Sequence, residues 1–385
     1  MSYNNPRSQV PKTSLNDRGI PPGYAETDAG IKRAGVVSAR PAYAKYDPRG
    51  WSRRTQIIAG LITVAVIVAV IAGAVEGVKA NRYPDYYPLN YRLVDTYEGR
   101  NFFDQFRYWS DPDPTHGFVV YLNAEGAAYS NLTYASDDAA VIKVDTQYDN
   151  AIGGRNSIRI ESKRTYDRGL FIFDIAHAPH GCGTWPALWL SDTYNWPTNG
   201  EIDVVEATNK GTFGNSMTLH TTEGCTMNVR RKQTGSVVSK DCYNATNNNE
   251  GCGVKAGPAS FGPEFNDNGG GVYATELREE GIRIWFFPRG SIPADITTSR
   301  PDPSRWGKAT ADFPNTKCDI SRHFRNQSII ANIALCGDLA GQASRYREES
   351  ECPGECPSFV AQHPEAFREA YWEFRSIKVY QAENA

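Results

Sequence analysis

From about residue 91 onward the chain is a series of short apolar runs separated by turn residues. They include "FVVYL" (118–122), "AVIKV" (140–144), "SIRIES" (157–162), "LFIFDI" (170–175), "PALWL" (186–190) and "EIDVVEA" (201–207). Further runs are "MTLHT" (217–221), "VYATEL" (272–277), "IRIWFF" (282–287), "IIANIAL" (329–335) and "FRSIKVY" (374–380). Many alternate apolar and polar residues with period two, which predicts strands with one buried face. Helical periods are scarce, and one short helix is expected near "PEAFREAYW". Short strands at regular spacing with Gly- and Pro-rich turns predict an all-β sandwich or barrel. The span 91–385 is long for that class, so its loops must be long. No internal repeat is evident.

Upstream the pattern is different. Ile57–Val75 holds nineteen residues and no charge. As a helix it is about 28 Å long, against a bilayer core of roughly 30 Å. A buried core helix would still show some polar face, and none exists here. A cleaved signal peptide is the better rival, because "AGA" at 72–74 resembles a cleavage site. The run is too long and begins too late for that layout. The expectation is an uncleaved membrane-spanning anchor over residues 56–76. It follows a disordered tail (1–55) rich in Pro, Gly, Ser, Arg and Asn, and precedes a short stalk (77–90). Lys45, Arg49, Arg53 and Arg54 flank the span on one side, and Lys79 and Arg82 on the other. The positive-inside bias then puts the N-terminus in the cytosol and residues 91–385 in a lumenal or extracellular space, a single-pass type II arrangement.

Charge narrows the partners. The net charge of −3 divides into +6 over residues 1–55 and −9 over the remainder. The larger part therefore lacks the basic field that nucleic-acid binding needs. All eight cysteines (182, 225, 242, 252, 318, 336, 352 and 356) follow the span, which suggests disulfides in an exported domain. Eight cysteines allow 105 pairings. Three sequons, at Asn131, Asn244 and Asn326, lie on the same side and are candidate glycosylation sites. A monomer is expected.

The segment "GEIDVVEATN" places Glu201, Asp203 and Glu206 in a strand otherwise made of Ile and Val. In a regular strand Glu201 and Asp203 share a face and Glu206 points to the other, into the core. A one-residue β-bulge at Val204–Val205 removes that conflict. Both valines turn inward and all three acids share the open face. Three carboxylates in one row repel, so at least one holds its proton near neutral pH. A protonated acid beside an ionised one is what retaining glycoside hydrolysis requires, with carboxyl groups about 5–5.5 Å apart. A solvated strand face is the bland alternative. A divalent-cation site is a third, without further carboxylate or carbonyl signature to support it.

"GEIDVVE" matches the E-x-D-x-x-E signature of glycoside hydrolase family 16 in its bulged form. "GTWPALWLSDTYNWPTNGEIDVVEATN", "MTLHTTEGC", "GGGVYATELREEGIRIWFFPRGSIPADI", "ANIALCGDLAG" and "FREAYWEFRSIKVY" also resemble fungal laminarinase-type endo-1,3(4)-β-glucanases. The resemblance covers residues 90–381. It implies a concanavalin-like β-jelly-roll sandwich with a concave glucan cleft, and a catalytic domain over 91–385. It makes Glu201 the nucleophile, Glu206 the general acid/base and Asp203 a partner that tunes the nucleophile, acting on β-glucan without a cofactor. A transglycosylase would use the same acids, and a non-catalytic glucan-binding protein would typically have lost them. The residues leave β-1,3 and mixed β-1,3/1,4 linkage equally open.

Trp185, Trp189 and Trp196 precede the acids, and indole faces pack well on pyranose rings while the N–H is a donor. At least two of them are expected in the cleft, where Trp185 and Trp189 point the same way. His220 and Arg159 are further substrate-binding candidates, each with a structural alternative. "HAPH" (177–180) has two histidines but no matching ligand pair, so no metal site is assigned. "CPGEC" (352–356) reads as disulfide cysteines and "GGG" (269–271) as a turn. "RRK" (230–232) reads as solvated surface.

Overall fold

A computed structural model describes residues 47–80 and 82–383 of the chain. Most of the expected disordered tail, residues 1–46, lies outside the described residues. The described part divides into two units, split after Ala69.

Helix α1, Arg53–Ala80, is longer at both ends than the expected 56–76 span. Ser52 caps it, its Oγ accepting from the Thr55 N–H at 3.2 Å. The Arg53–Val75 stretch has a mean hydropathy of 2.8, none of it is buried, and it is long and apolar enough to cross a membrane. A helix that is apolar all round has no face suited to water.

The remaining unit is built from eighteen strands. They are β1 (Tyr91–Tyr97), β2 (Phe106–Tyr108), β3 (Val119–Tyr121), β4 (Thr133–Ala135), β5 (Ala140–Lys143) and β6 (Arg155–Ser157). Next come β7 (Arg159–Tyr166), β8 (Gly169–His177), β9 (Thr184–Ser191), β10 (Glu201–Glu206), β11 (Ser216–His220) and β12 (Ser236–Val237). The last are β13 (Cys252–Lys255), β14 (Gly271–Arg278), β15 (Gly281–Pro288), β16 (Ala311–Pro314), β17 (Gln327–Leu335) and β18 (Tyr371–Ala382). Every apolar run read from the sequence overlaps a strand, and "SIRIES" spans the end of β6 and the start of β7. The helix expected at "PEAFREAYW" is only a 3-10 turn, Pro364–Phe367, because Tyr371 already belongs to β18; an α-helix, Cys356–Gln362, precedes it.

Two eight-stranded sheets face each other. One runs β16-β15-β14-β8-β18-β5-β4 with β1 added on β18, and the other runs β12-β13-β11-β10-β9-β17-β7-β2. Leu188, Leu190, Ile202, Val204, Val205, Leu219, Ile329 and Ile333 from the second sheet meet Phe171, Phe173, Tyr273, Ile284, Phe374 and Ile377 from the first in one dry core. This is a sandwich, one of the two architectures expected from period-two alternation, in the jelly-roll form that the resemblance implies. "LFIFDI" does not alternate because β8 is covered on both faces. Phe171 and Phe173 enter the main core, while Leu170 and Ile172 join a second cluster with Trp285 and Tyr380 on the outer side of the first sheet.

Four disulfides, Cys182–Cys352, Cys225–Cys318, Cys242–Cys252 and Cys336–Cys356, use all the cysteines. The two cysteines of "CPGEC" therefore tie different loops.

Residues 77–90, expected as a stalk, take two forms. Residues 77–80 continue α1, and 83–90 lie as a strap against the outer face of the first sheet. The Tyr83 hydroxyl donates to Asp312 Oδ2 at 3.0 Å and that of Tyr86 to Oδ1 at 3.4 Å. The Lys232 ammonium lies 4.0 Å from the Tyr83 ring centre and the Arg283 guanidinium 4.1 Å from that of Tyr86. Asp312 is fully buried. Burial raises its pKa and the Lys232 N–H and Tyr83 hydroxyl oppose the rise. "RRK" is correspondingly not all solvated surface: Arg231 Nε donates to the Asp312 carbonyl at 2.6 Å and its guanidinium packs on Phe313.

A chain that starts at Tyr91 removes both hydroxyl donors from buried Asp312. It is expected to be about 2–4 kcal/mol less stable than one starting at Arg82, a melting-temperature drop of several degrees. Equal melting temperatures in calorimetry would show that the strap contributes nothing.

Candidate active site

Strand β10 carries a register slip. Asp203 pairs with Trp189 of β9, but Val205 pairs with the next residue, Leu188, leaving Val204 as the extra residue. The slip recurs against β11, between Asp203 and Glu206. Val204 and Val205 are both fully buried, and Glu206 is half-exposed beside Glu201. This is the bulge that the conflict among the acids predicts. The backbone groups it frees are taken up by Asn215, whose Oδ1 accepts from the Glu206 N–H and whose Nδ2 donates to the Val204 carbonyl, both at 2.8 Å. Sequence reading missed Asn215.

The open face of the second sheet forms the site. Glu201 lies opposite Ser191 and His220, Asp203 opposite Trp189 and Thr218, and Glu206 opposite Ala187 and Ser216. The Trp185 Nε1–H donates to Glu206 Oε1 at 2.9 Å. That of Trp189 donates to Asn332 Oδ1 at 2.8 Å, and Asn332 Nδ2 donates to the Tyr121 hydroxyl at 3.2 Å. Trp196, 40% exposed, lies near Glu201 and lowers its proton affinity. Trp185 and Trp189 thus share the acidic face, and their N–H groups serve protein acceptors. What they present to a ligand is ring surface. Asn332 was also missed, although a lone polar residue in "IIANIAL" was a visible signal.

Arg159 is buried rather than open to a ligand. Its Nη2 donates to Glu161 Oε1 at 2.7 Å, and its guanidinium lies 4.4 Å from the Trp109 ring centre and 5.1 Å from that of Trp189. It underpins the Trp189 indole, and its charge lowers the proton affinity of Glu201.

His220 is 7% exposed and directed by Asn249, whose Oδ1 lies 3.0 Å from Nδ1. Its Nε2 is 3.3 Å from Asp203 Oδ2. This is a close contact rather than an aligned hydrogen bond, since Oδ2 has no hydrogen-bond partner. Burial acts to lower the His220 pKa, but the contact with Asp203 and the charges of Glu201 and Asp203 outweigh it and raise it to about 9. Burial, then the Glu201 charge, pushes Asp203 well above the usual carboxylate range. Burial also raises Glu201, with His220 as the main opposing influence. Burial therefore favours the protonated form of Asp203, whereas at Glu201 the His220 charge works against burial and favours the ionised form. Ligand atoms of Glu201, Asp203 and His220 lie within 4.8 Å of one another. A protonated His220 already supplies positive charge there, which leaves little call for a cation.

Comparison with known proteins agrees with this geometry. Residues 106–380 match the family described as "XgeA-like, catalytic GH16 domain". A probable glycosidase of Schizosaccharomyces pombe is 46% identical over 307 residues, covering 78% of this chain and 72% of that protein. An endo-1,3(4)-β-glucanase of Arthroderma benhamiae is 41% identical over 300 residues, covering 76% of this chain and 65% of that protein, so the chain spans just under two thirds of its length. Among solved structures, laminarinase 16A of Phanerochaete chrysosporium, with β-glucans in its donor and acceptor sites, is 43% identical with a TM-score of 0.74, over 76% of this chain and all of that one. Three carboxylates gathered on one concave face by a bulge, in a chain matched over residues 106–380, make this protein a member of glycoside hydrolase family 16.

Proposed function

We propose that the chain is a retaining, endo-acting glucanase that cleaves β-1,3 or mixed β-1,3/1,4 glucan. The observation that carries the proposal is the bulge that brings Glu206 into one row with Glu201 and Asp203. The named activities of the relatives support the substrate class. Ionised Glu201 attacks the anomeric carbon as the bond to the leaving sugar oxygen breaks, and protonated Glu206 gives its proton to that oxygen. Glu206, now a carboxylate, takes a proton from water, which attacks the anomeric carbon and releases Glu201 from the ester. Trp185 orients Glu206 through its N–H. Protonated Asp203 keeps a second negative charge away from the nucleophile, and the His220 cation favours the ionised form of Glu201.

Glu201→Ala should abolish turnover of laminarin and of an activated aryl glucoside. Glu206→Ala should lose about 10²–10⁴-fold, and azide should restore turnover of the activated substrate with a β-glycosyl azide product of retained configuration. A β-azide from Glu201→Ala together with an inverted α-azide from Glu206→Ala would exchange the two roles, and full activity in both variants would leave the acids a solvated strand face. Added labelled acceptor distinguishes hydrolysis from transfer, because longer labelled chains mean a transglycosylase.

His220→Gln removes the positive charge that lowers the proton affinity of Glu201. The acidic limb of the kcat/KM profile should therefore move to higher pH, and an unmoved limb would exclude His220 from tuning the nucleophile. The sign for stability follows from the raised pKa. The contribution of His220 is fully present below its ordinary value of 6.5 and is lost as pH rises through about 9. Wild type should lose more stability than the variant across that window.

We further propose that α1 is an uncleaved signal anchor holding the catalytic unit on the lumenal or extracellular side. The charge asymmetry around the span, the disulfides and the sequons support it. Of the sequons, Asn131 is exposed and Asn244 half-exposed. Asn326 differs: its Nδ2 donates at 2.8 Å to Asp192, a buried carboxylate also held by Asn195 and Asn199. In sealed microsomes a C-terminal tag should resist added protease, and endoglycosidase should remove two glycans, not three. A digested tag would reverse the orientation. A third glycan, lost in Asn326→Gln, would show that the Asp192 contact does not withhold that nitrogen.

A further inference from the structure

Glu206 belongs to a row of side chains that continues across the second sheet past β11. It lies opposite Ser216, Ser216 lies opposite Lys255 of β13, and Lys255 lies opposite Ser236 of the edge strand β12. Met217, Val254 and Ala256 are buried in the core. Strand alternation therefore puts Ser216 and Lys255 on the open face with Glu206. The Lys255 ammonium donates to Ser216 Oγ at 3.1 Å. We infer that Lys255, held by Ser216, binds hydroxyl groups of the sugar on the leaving-group side of the scissile bond. The inference rests on the glucanase reading above and adds a specificity-determining residue to it.

The ammonium is short of partners. It has three donors, and the residue is half-buried. Among the described residues Ser216 is its only hydrogen-bond or ion-pair partner. Glu349 is taken by Arg345 at 3.0 Å. Burial, then the Arg345 charge, lower the Lys255 pKa, and the Glu206 and Glu349 charges oppose the shift. A half-buried cation with unused donors is costly until a polar group meets it. Sugar hydroxyls accept such charge-assisted hydrogen bonds readily.

The two flanks of β10 also differ in kind. On the β9 side stand the Trp185 and Trp189 rings, with Arg159 packed between Trp189 and Trp109. On the other side β11 and β13 offer Thr218, Ser216, Gly253 and Lys255. Gly253 carries no side chain, so nothing on β13 stands between Lys255 and the row of Asp203 and Thr218. The glycosyl unit must be held through the covalent step, which suits ring stacking. The leaving sugar must dissociate, which suits a few exchangeable hydrogen bonds. Glu206, the acid for the departing oxygen, shares its row with Lys255, whereas Glu201 is paired with His220.

Contacts at Lys255 would hold the departing oxygen against Glu206, so that binding of a remote sugar serves the reacting bond. The same contacts would hold an acceptor sugar in the second step. Its hydroxyl gives a proton to the Glu206 carboxylate as its oxygen attacks the anomeric carbon and Glu201 is released.

The test uses the full-length chain in detergent and two substrates, laminarihexaose and an activated aryl β-laminaribioside. The second has sugars on the glycosyl side alone. Lys255→Met should lower kcat/KM for laminarihexaose about tenfold more than for the aryl glycoside. With laminaribiose added as acceptor, the ratio of transfer to hydrolysis from the aryl glycoside should fall as well. Ser216→Ala should move both readouts in the same direction by less, and it decides by the same comparison if Lys255→Met does not fold. Equal losses on both substrates would mean that Lys255 acts on Glu206 rather than on a sugar. That outcome, or no loss on either substrate, overturns the inference and leaves the glucanase reading intact. A wild type inert on both substrates would remove that reading and the inference with it.

Discussion

The whole site depends on one extra residue in one strand. Strand geometry alternates side chains without exception, so a regular β10 would drive Glu206 into an apolar core. An unpaired buried carboxylate costs several kcal/mol. Inserting Val204 as a bulged residue sends two consecutive valines inward and returns Glu206 to the face of Glu201 and Asp203. The insertion frees backbone groups of β10, and Asn215, the residue just before β11, satisfies them. The bulge and Asn215 are thus a single device.

Around that row the polar groups are closed into networks. Trp189 is fixed by Asn332, Asn332 by Tyr121, and the rear of the indole by Arg159, itself paired with Glu161. Closed networks of this kind hold side chains in one arrangement because an unsatisfied member would be costly. The Trp185 and Trp189 N–H groups are thereby committed to the protein, which leaves these two residues only ring surface to present.

The other side of the sandwich solves a different problem. The outer face of the first sheet carries buried carboxyl groups at Asp312 and Glu276, to which Tyr83 and Tyr86 of the strap and Tyr91 of β1 donate from their hydroxyls. Stacked Arg and Lys side chains supply the compensating positive charge. The segment that joins α1 to the sandwich is therefore part of the folded body.

Alternation, apolar length and residue type are local properties, and the sequence by itself determined what depends on them. The strands, the apolar anchor and the even set of cysteines follow from such patterns. So does the bulge, because a conflict between period and polarity within "EIDVVE" has only one inexpensive solution. Partnership between distant residues is not local, and only the tertiary structure decided it. The four disulfide pairings, Asn215 beneath the bulge and Tyr83 on Asp312 are of this kind. So is the meeting of His177 with Glu369, 192 residues further on. The same distinction explains Arg159, whose residue type suggested ligand contact, whereas the packing of Trp109 and Trp189 on either side made it a buried support. Tyrosines of a polar linker likewise carry no mark of docking in their own neighbourhood, since the buried carboxylate that requires them lies in a strand more than 220 residues away.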